Sequence, residues 1–455
     1  MDIRIQLNSF YNLINKKMKK SYLFSAFAAG MVMLSACSSD GDLTGGNVGN
    51  ESNDAVQQIV LQVANTGEGL QTRAGRPLYS SEAKQSIENV KVIICDESNK
   101  IVKEKTYTNW NTTDSQPYGE NGGAHGREVK LTYTGTQKLD DGKYTVYAFG
   151  YSNNSDYANL TEEMNKLTEN ATFNPNIILN LTSENVKGEE IFAGCSTKAI
   201  EINDEHKGFD ETVVLNRQVA GTFGYFDKIP YVAGATKLQL VASNGNTGLV
   251  LGGFNSFDLT GNGTGNEGHV NYVVNGTTAA KDNVIYTINL KDWFTNVNDV
   301  DHDGLIDDTN WKTPAGYTKA TFAKGSVFGG TFLIPFAKVA SANTFVLQLT
   351  DDANKVLKSW AVKLPSTDGQ LSEYILSYWN TSATTHVFDK TPGTKDEADK
   401  YSVVRNHLYG IGKRSLDKPT TPGTDPDKPE PLNKKQELTL RVNDNWEVIH
   451  QMELE

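Results

Sequence analysis

From Leu438 to Leu454 the chain alternates. Leu438, Leu440, Val442, Trp446, Val448, Met452 and Leu454 take even positions with polar residues between them, and Ile449 alone is out of phase. Period two marks a strand buried on one face. Fully extended, this stretch would reach ~56 Å against the ~17–20 Å of an ordinary strand, so the polar Asn443-Asp444-Asn445 predicts a break into two. The same alternation occurs near the other end, at Ile59, Leu61 and Val63, closed by the loop Asn65-Thr66-Gly67-Glu68-Gly69.

Between these ends, strands are predicted over 89–95, 129–133, 144–149, 176–181 and 190–193, then over 237–242, 284–290, 331–336, 344–349 and 360–364. Gly, Asn and Asp turns separate them. Leu160, Met164 and Leu167 fall at helical spacing and predict one short helix. Regular strand spacing without long helices points to an all-β fold of sandwiches. Two β-rich domains are expected, 74–216 and 217–414, with the crossover in 212–226. Residues 415–435 hold Pro419, Pro422, Pro426, Pro429 and Pro431 among Asp, Lys, Thr and Gly, the composition of an extended, solvated spacer. The strand of 436–455 that follows it either folds back onto its own domain or completes another subunit's sheet.

A length of 455 residues suffices for two or three domains, and the abundance of Gly (40), Tyr (19) and Phe (18) agrees with β structure. The formal charge is −12, and the first 20 residues hold five bases against one acid, a net +4 that leaves −16 for the remainder. That sign argues against nucleic acid and anionic lipid surfaces as partners.

Met18-Lys19-Lys20 precedes an apolar run from Tyr22 to Leu34, too short for a membrane span, so 1–36 reads as an N-terminal extension and secretory signal, with Met18 a second candidate start. Leu34-Ser35-Ala36-Cys37 resembles the bacterial lipobox, in which the Cys thiol is diacylated and becomes the mature N-terminus. Asp40 and Asp42 resemble the acidic tag of some Bacteroidetes surface lipoproteins. Cys95 and Cys195 remain, each in a strand-like run, and either a disulfide or two buried thiols fits them. From Cys37 to Thr72 there is no Lys or Arg, and Arg76 is shielded by Pro77. An Arg-specific protease would therefore cut between Arg73 and Ala74, releasing the propeptide 37–73 and its strand.

Asp299, Asp301, Asp303 and Asp307 stand at loop positions 1, 3, 5 and 9 with Gly304 at 6, the arrangement of a Ca²⁺ loop. Leu305 would add its carbonyl. Asn310 departs from the usual acidic residue at position 12, so a structural Ca²⁺ and a solvated acidic turn are both open; no other cofactor is expected. Gly263–Gly268 satisfies G-x-G-x-x-G but runs into the strand-like 270–273 where the dinucleotide motif needs a helix. No nucleophile or metalloprotease motif is present, although two distant glycosidase carboxylates would leave no local signature. Trp110, Tyr118 and Tyr157 suit sugar stacking or, more simply, a β-domain core.

Taken in order, the lipobox ending in Cys37, the strand before Thr72-Arg73-Ala74, Val213–Ala220 at the domain join, and Tyr401–Tyr409 before the spacer and final strand resemble the fimbrillins, shaft subunits of Bacteroidales type V pili. The resemblance implies two transthyretin-like β-sandwich domains in tandem, export as a lipoprotein and a non-enzymatic role. An Arg-specific protease would remove the first strand, leaving a mature chain of 382 residues (455 less 73). The C-terminal strand of another copy or another fimbrial subunit would fill the groove with Leu438, Leu440, Trp446 and Val448. The implied location is the fimbrium, reached through the outer membrane. Two alternatives are a tip or accessory adhesin of the same fold and a monomeric glycan-binding surface lipoprotein.

Overall fold

Apolar alternation broken by short polar turns yields strands almost throughout. A computed structural model describes residues 56–64, 87–110, 112–118, 126–153, 155–175, 177–181, 187–196, 198–242, 244–251, 270–274, 283–314, 322–336, 345–363, 374–380, 385–388, 403, 405, 408–412, 429–433 and 437–443. These belong to one unit, Asp54–Glu455.

The first half runs β1 (Gln57–Ala64), β2 (Asn89–Asp96), β3 (Ile101–Tyr107), β4 (Gln116–Tyr118), β5 (Gly126–Tyr133), β6 (Gly142–Tyr151), helix α1 (Leu160–Lys166), β7 (Ile177–Asn180), β8 (Lys187–Gly188), β9 (Phe192–Cys195), β10 (Ile200–Ile202) and β11 (Phe209–Arg217). The second runs β12 (Ala220–Asp227), β13 (Lys237–Ala242), β14 (Gly248–Leu251), β15 (Val270–Val274), β16 (Val284–Asn289), the single turn α2 (Leu290–Trp293), β17 (Val327–Leu333), β18 (Phe345–Thr350), β19 (Val356–Lys363), β20 (Tyr374–Asn380), β21 (Thr385–Phe388), β22 (Leu408–Ile411), β23 (Glu430–Pro431) and β24 (Glu437–Asn443). The fold is all-β, as the spacing of turns implies.

The first sheet has the order β3-β2-β6-β9-β11-β1-β5-β4, with β10 beside β6. β11 turns the corner between its layers: Phe209–Leu215 pairs parallel with β1, and Asn216–Arg217 pairs antiparallel with β9. Ile59, Leu61 and Val63 thereby meet Val90, Val92, Ile94, Val146 and Ala148 in one core. β2 and β6 are buried on both faces, because Ile93, Cys95, Tyr147 and Phe149 point the other way into a second core. That second core takes in Leu160 and Met164 of α1 and continues through Phe223, Tyr225 and Tyr286 of the second half.

The second sheet has the order β16-β13-β18-β19-β24-β22-β12-β17-β8, with β23 beside β12. The halves interlock, since β7 and β8 pair with β14 and β17. The segment expected to cross between domains is two strands, β11 and β12, with Gln218 and Val219 buried where they join. Part of the Pro-rich stretch also differs from the solvated spacer expected of it. Glu430–Pro431 pairs with Phe226–Asp227, Leu432 is buried, and the Trp360 indole donates to the Leu432 carbonyl at 3.2 Å. One leucine among the prolines suffices to tack the chain down, because an extended Pro-rich segment keeps its carbonyls for pairing.

Candidate functional site

The first candidate is the seat of β1. β1 is an interior strand, parallel to β11 along Gln57–Val63 and antiparallel to β5 along Gln57–Ala64. Ile59, Leu61 and Val63 are sealed in the core, and Gln58 and Gln62 face outward, half-buried. The alternation follows from the pleat, which sends successive side chains to opposite faces. Gln62 Nε2 donates to Glu128 Oε2 at 3.0 Å on β5, and Gln58 Nε2 donates to Asp210 Oδ1 at 3.2 Å on β11. Gln57 is the polar residue on the inward face of β1: its side chain is buried and held by backbone groups of Leu139 and Lys207.

At the end of β11 the chain carries charge into the interior. Arg217 Nε donates to Glu190 Oε1 at 2.7 Å, and the guanidinium lies 5.1 Å from the Phe192 ring centroid. Burial pushes the Glu190 carboxyl up to about 7, with Arg217 pulling the other way. Next door, Arg405 Nη1 donates to Gln218 Oε1 at 2.9 Å, while Gln218 Nε2 donates to the Ala193 carbonyl at 3.2 Å. The segments 213–220 and 401–409, far apart in sequence, thus meet through buried polar contacts.

The tail is seated at home. Glu437–Thr439 of β24 pairs parallel with Ala361–Lys363, and Leu440–Asn443 pairs antiparallel with Leu408–Ile411. Leu438 is 1% exposed. Of the residues expected to fill a neighbour's groove, Leu438, Leu440 and Val442 therefore lie in this chain's own second sheet. Trp446, Val448, Met452 and Leu454 lie outside the described residues, as do Cys37, Arg73 and Ala74.

The acidic loop gathers three of its four spaced carboxylates. Carboxylate oxygens of Asp299, Asp301 and Asp303 lie within 4.8 Å of one another. Asp299 accepts from the Asp303 and Gly304 amides at 3.1 and 3.0 Å, and Asp303 accepts from the Leu305 amide at 2.8 Å. Gly304 sits at φ +84, a left-handed turn that suits glycine. Asp307 is turned elsewhere, accepting from the Val300 amide at 2.8 Å. Leu305 bridges to Pro230 through the Gly304 carbonyl and the Ile306 amide, bonds that do not use its own carbonyl. Asn310, at position 12, donates to Asn298 Oδ1 at 3.1 Å and closes the loop.

Cys95 and Cys195 are not joined by a disulfide and lie on neighbouring parts of the first sheet. Trp110 and Tyr157 are buried, so they belong to the core and offer no stacking surface. No helix of the described residues is long and apolar enough to cross a membrane.

No family model matches the chain, and no curated protein does. Solved structures do. The tip fimbrial protein Mfa3 of Porphyromonas gingivalis aligns at 10% identity and TM-score 0.35, covering 85% of this chain and 98% of its own. The fimbrial anchor protein Mfa2 of the same organism aligns at 10% identity and TM-score 0.31, covering 74% and 99%. A fimbrial assembly protein of Parabacteroides distasonis aligns at 12% identity and TM-score 0.32, covering 80% and 92%. At such values the likenesses carry no function over to this chain.

Proposed function

We propose that the chain is a structural subunit of a cell-surface fimbrium, supporting adhesion. In this reading it is exported as a lipoprotein through Cys37, cut after Arg73, and assembled by strand exchange with other copies or other fimbrial subunits. One observation carries the proposal: the strand just upstream of the first base after Cys37 is an interior strand, not an edge. Cutting there strips Ile59, Leu61 and Val63 from the core, whose burial is worth roughly 5–9 kcal/mol. It also bares two sheet edges, and an extended segment from a neighbour can satisfy both. The role is structural and non-enzymatic.

Limited trypsin digestion of purified precursor tests this. A ladder on unboiled gels, lost on deletion of 436–455, is expected. The home seat of β24 favours a second reading, a subunit or surface lipoprotein that keeps its tail, and clean monomers after cutting would establish that one instead.

We also read the loop at 299–310 as a structural Ca²⁺ site, held by Asp299, Asp301 and Asp303 with the Leu305 carbonyl. The ion would offset the repulsion of three gathered carboxylates and stiffen the loop against Ile229 and Pro230.

A further inference from the structure

The seat of β1 is not merely an apolar groove, because it contains one polar socket. Gln57 is 1% exposed, and its Nε2 donates to the carbonyls of Leu139 and Lys207 at 3.1 and 3.0 Å while its Oε1 accepts the Leu139 amide at 2.7 Å. Once β1 leaves, those three backbone groups lose their partner. An occupant bringing only apolar side chains would bury them bare, which is costly. A carboxamide supplies both donors and the acceptor, and glutamine has the reach that the site already uses.

The sequence Gln-x-Φ-x-Φ-x-Φ, with Ile, Leu or Val at each Φ, occurs twice in the 455 residues. One instance is Gln57, Ile59, Leu61, Val63, and the other is Gln436, Leu438, Leu440, Val442. We propose that the C-terminal strand of a second copy enters the β1 seat in this register, with Gln436 taking the place of Gln57 and setting the alignment. The inference rests on the strand-exchange reading above and adds to it which residue fixes the pairing.

The outward face supports the same register. Arg441 takes the position of Gln62, turning a hydrogen bond to Glu128 into an ion pair. Glu437 takes the position of Gln58 opposite Asp210, a like-charge contact on an exposed face where water screens it. A slip of two residues either way puts Lys434 or Leu438 in the socket, and neither carries an acceptor for the Leu139 amide. Using the outer segment, with Trp446 in place of Ile59, would aim the acceptor-only Asp444 at two carbonyls.

Two measurements on the trypsin-cut full chain test the register. In a mixture of Glu128→Cys and Arg441→Cys copies, oxidation is expected to give covalent donor–acceptor dimers, whereas Lys130→Cys with Arg441→Cys should not. Gln436→Leu ladders should lose subunits in detergent at least about tenfold faster than unsubstituted ones. Equal persistence, or cross-linking through Lys130→Cys, overturns the register and leaves strand exchange standing. Absence of any ladder from the unsubstituted chain removes both. The cross-link does not involve the Gln436 substitution, so poor folding of that variant cannot mask the result.

Discussion

Leu61→Ala separates a strand that belongs to the fold from one that is discarded. Leu61 is fully buried at the middle of β1, opposite Val213 of β11 and Val129 of β5. Truncating a leucine so enclosed costs about 2–5 kcal/mol, part transfer and part residual cavity. For one cooperative unit spanning Asp54–Glu455, at about 2.1 cal/mol/K per residue, each kcal/mol lowers the melting temperature by about 1 °C. The uncut Leu61→Ala precursor should therefore melt roughly 2–6 °C below the unsubstituted one. After cutting at Arg73 and removal of the released peptide, the two proteins have the same sequence and should melt together. Calorimetry before and after limited trypsin reads both outcomes. A precursor whose melting is unmoved by the substitution would mean that β1 is not seated between β11 and β5. A difference that survives cutting would mean that the released strand stays bound.

Glu190 gives a pH test whose sign is fixed by its raised folded pKa of about 7 against the ordinary 4.5. The folded state then holds the proton more tightly, so this group's contribution is fully present below pH ~4.5 and is lost as pH rises towards 7. Relative to Glu190→Gln, the natural chain should lose stability across that window in urea titrations; a relative gain would show that the Arg217 partner at 2.7 Å outweighs burial. Cys95, pushed up to about 12 by burial, and Cys195, pushed up to about 11, should resist iodoacetamide at pH 8 in the folded protein and react in guanidinium. Rapid native labelling of Cys95 would refute its burial. Calorimetric titration should show Ca²⁺ uptake near the ~10⁻⁴–10⁻³ M typical of extracellular sites, weakened by Asp301→Asn, and no heat at millimolar Ca²⁺ would remove the ion.

Strands with strict alternation were legible from the sequence: Lys237–Ala242 has the bounds that the pattern implies, and the helix at Leu160 follows its i, i+4 spacing. β12 and β17 were harder, because glycines break up their apolar pattern. Their glycines serve packing: a Cβ on Gly224 would strike the Phe226 ring and the Tyr286 hydroxyl, and one on Gly410 of the adjoining β22 would strike the Phe223 ring. Aromatic rings lying over bare backbone look, in one dimension, like turns. At the candidate seat the aliphatic trio of β1 was legible, but the Gln57 socket was not. Nothing in a single glutamine tells that its amide will face the backbone of Leu139, 82 residues away. The sequence signal that does exist is the second copy of the pattern at Gln436, and it gains meaning only once the first is seen buried.

The two seats for an alternating strand explain why cutting would be decisive. In the uncut chain β1 fills the seat between β11 and β5, and β24 lies between β19 and β22, so both positions are occupied. Removing β1 leaves one strand for two seats. Among the described residues, β24 at home pairs with β19 over Glu437–Thr439 and with β22 over Leu440–Asn443. The β1 seat pairs its strand on both sides along nearly its whole length and closes over three aliphatic side chains. Backbone groups left unpaired in a buried setting are what a sheet avoids most strongly. With similar apolar content in Ile59-Leu61-Val63 and Leu438-Leu440-Val442, the proposed exchange would place the tail in a seat paired on both sides. Under the proposed exchange each chain would vacate its own seat while filling a neighbour's, so the transfer would repeat from copy to copy, and a head-to-tail contact of that kind grows into an open filament unless its rotation closes a ring.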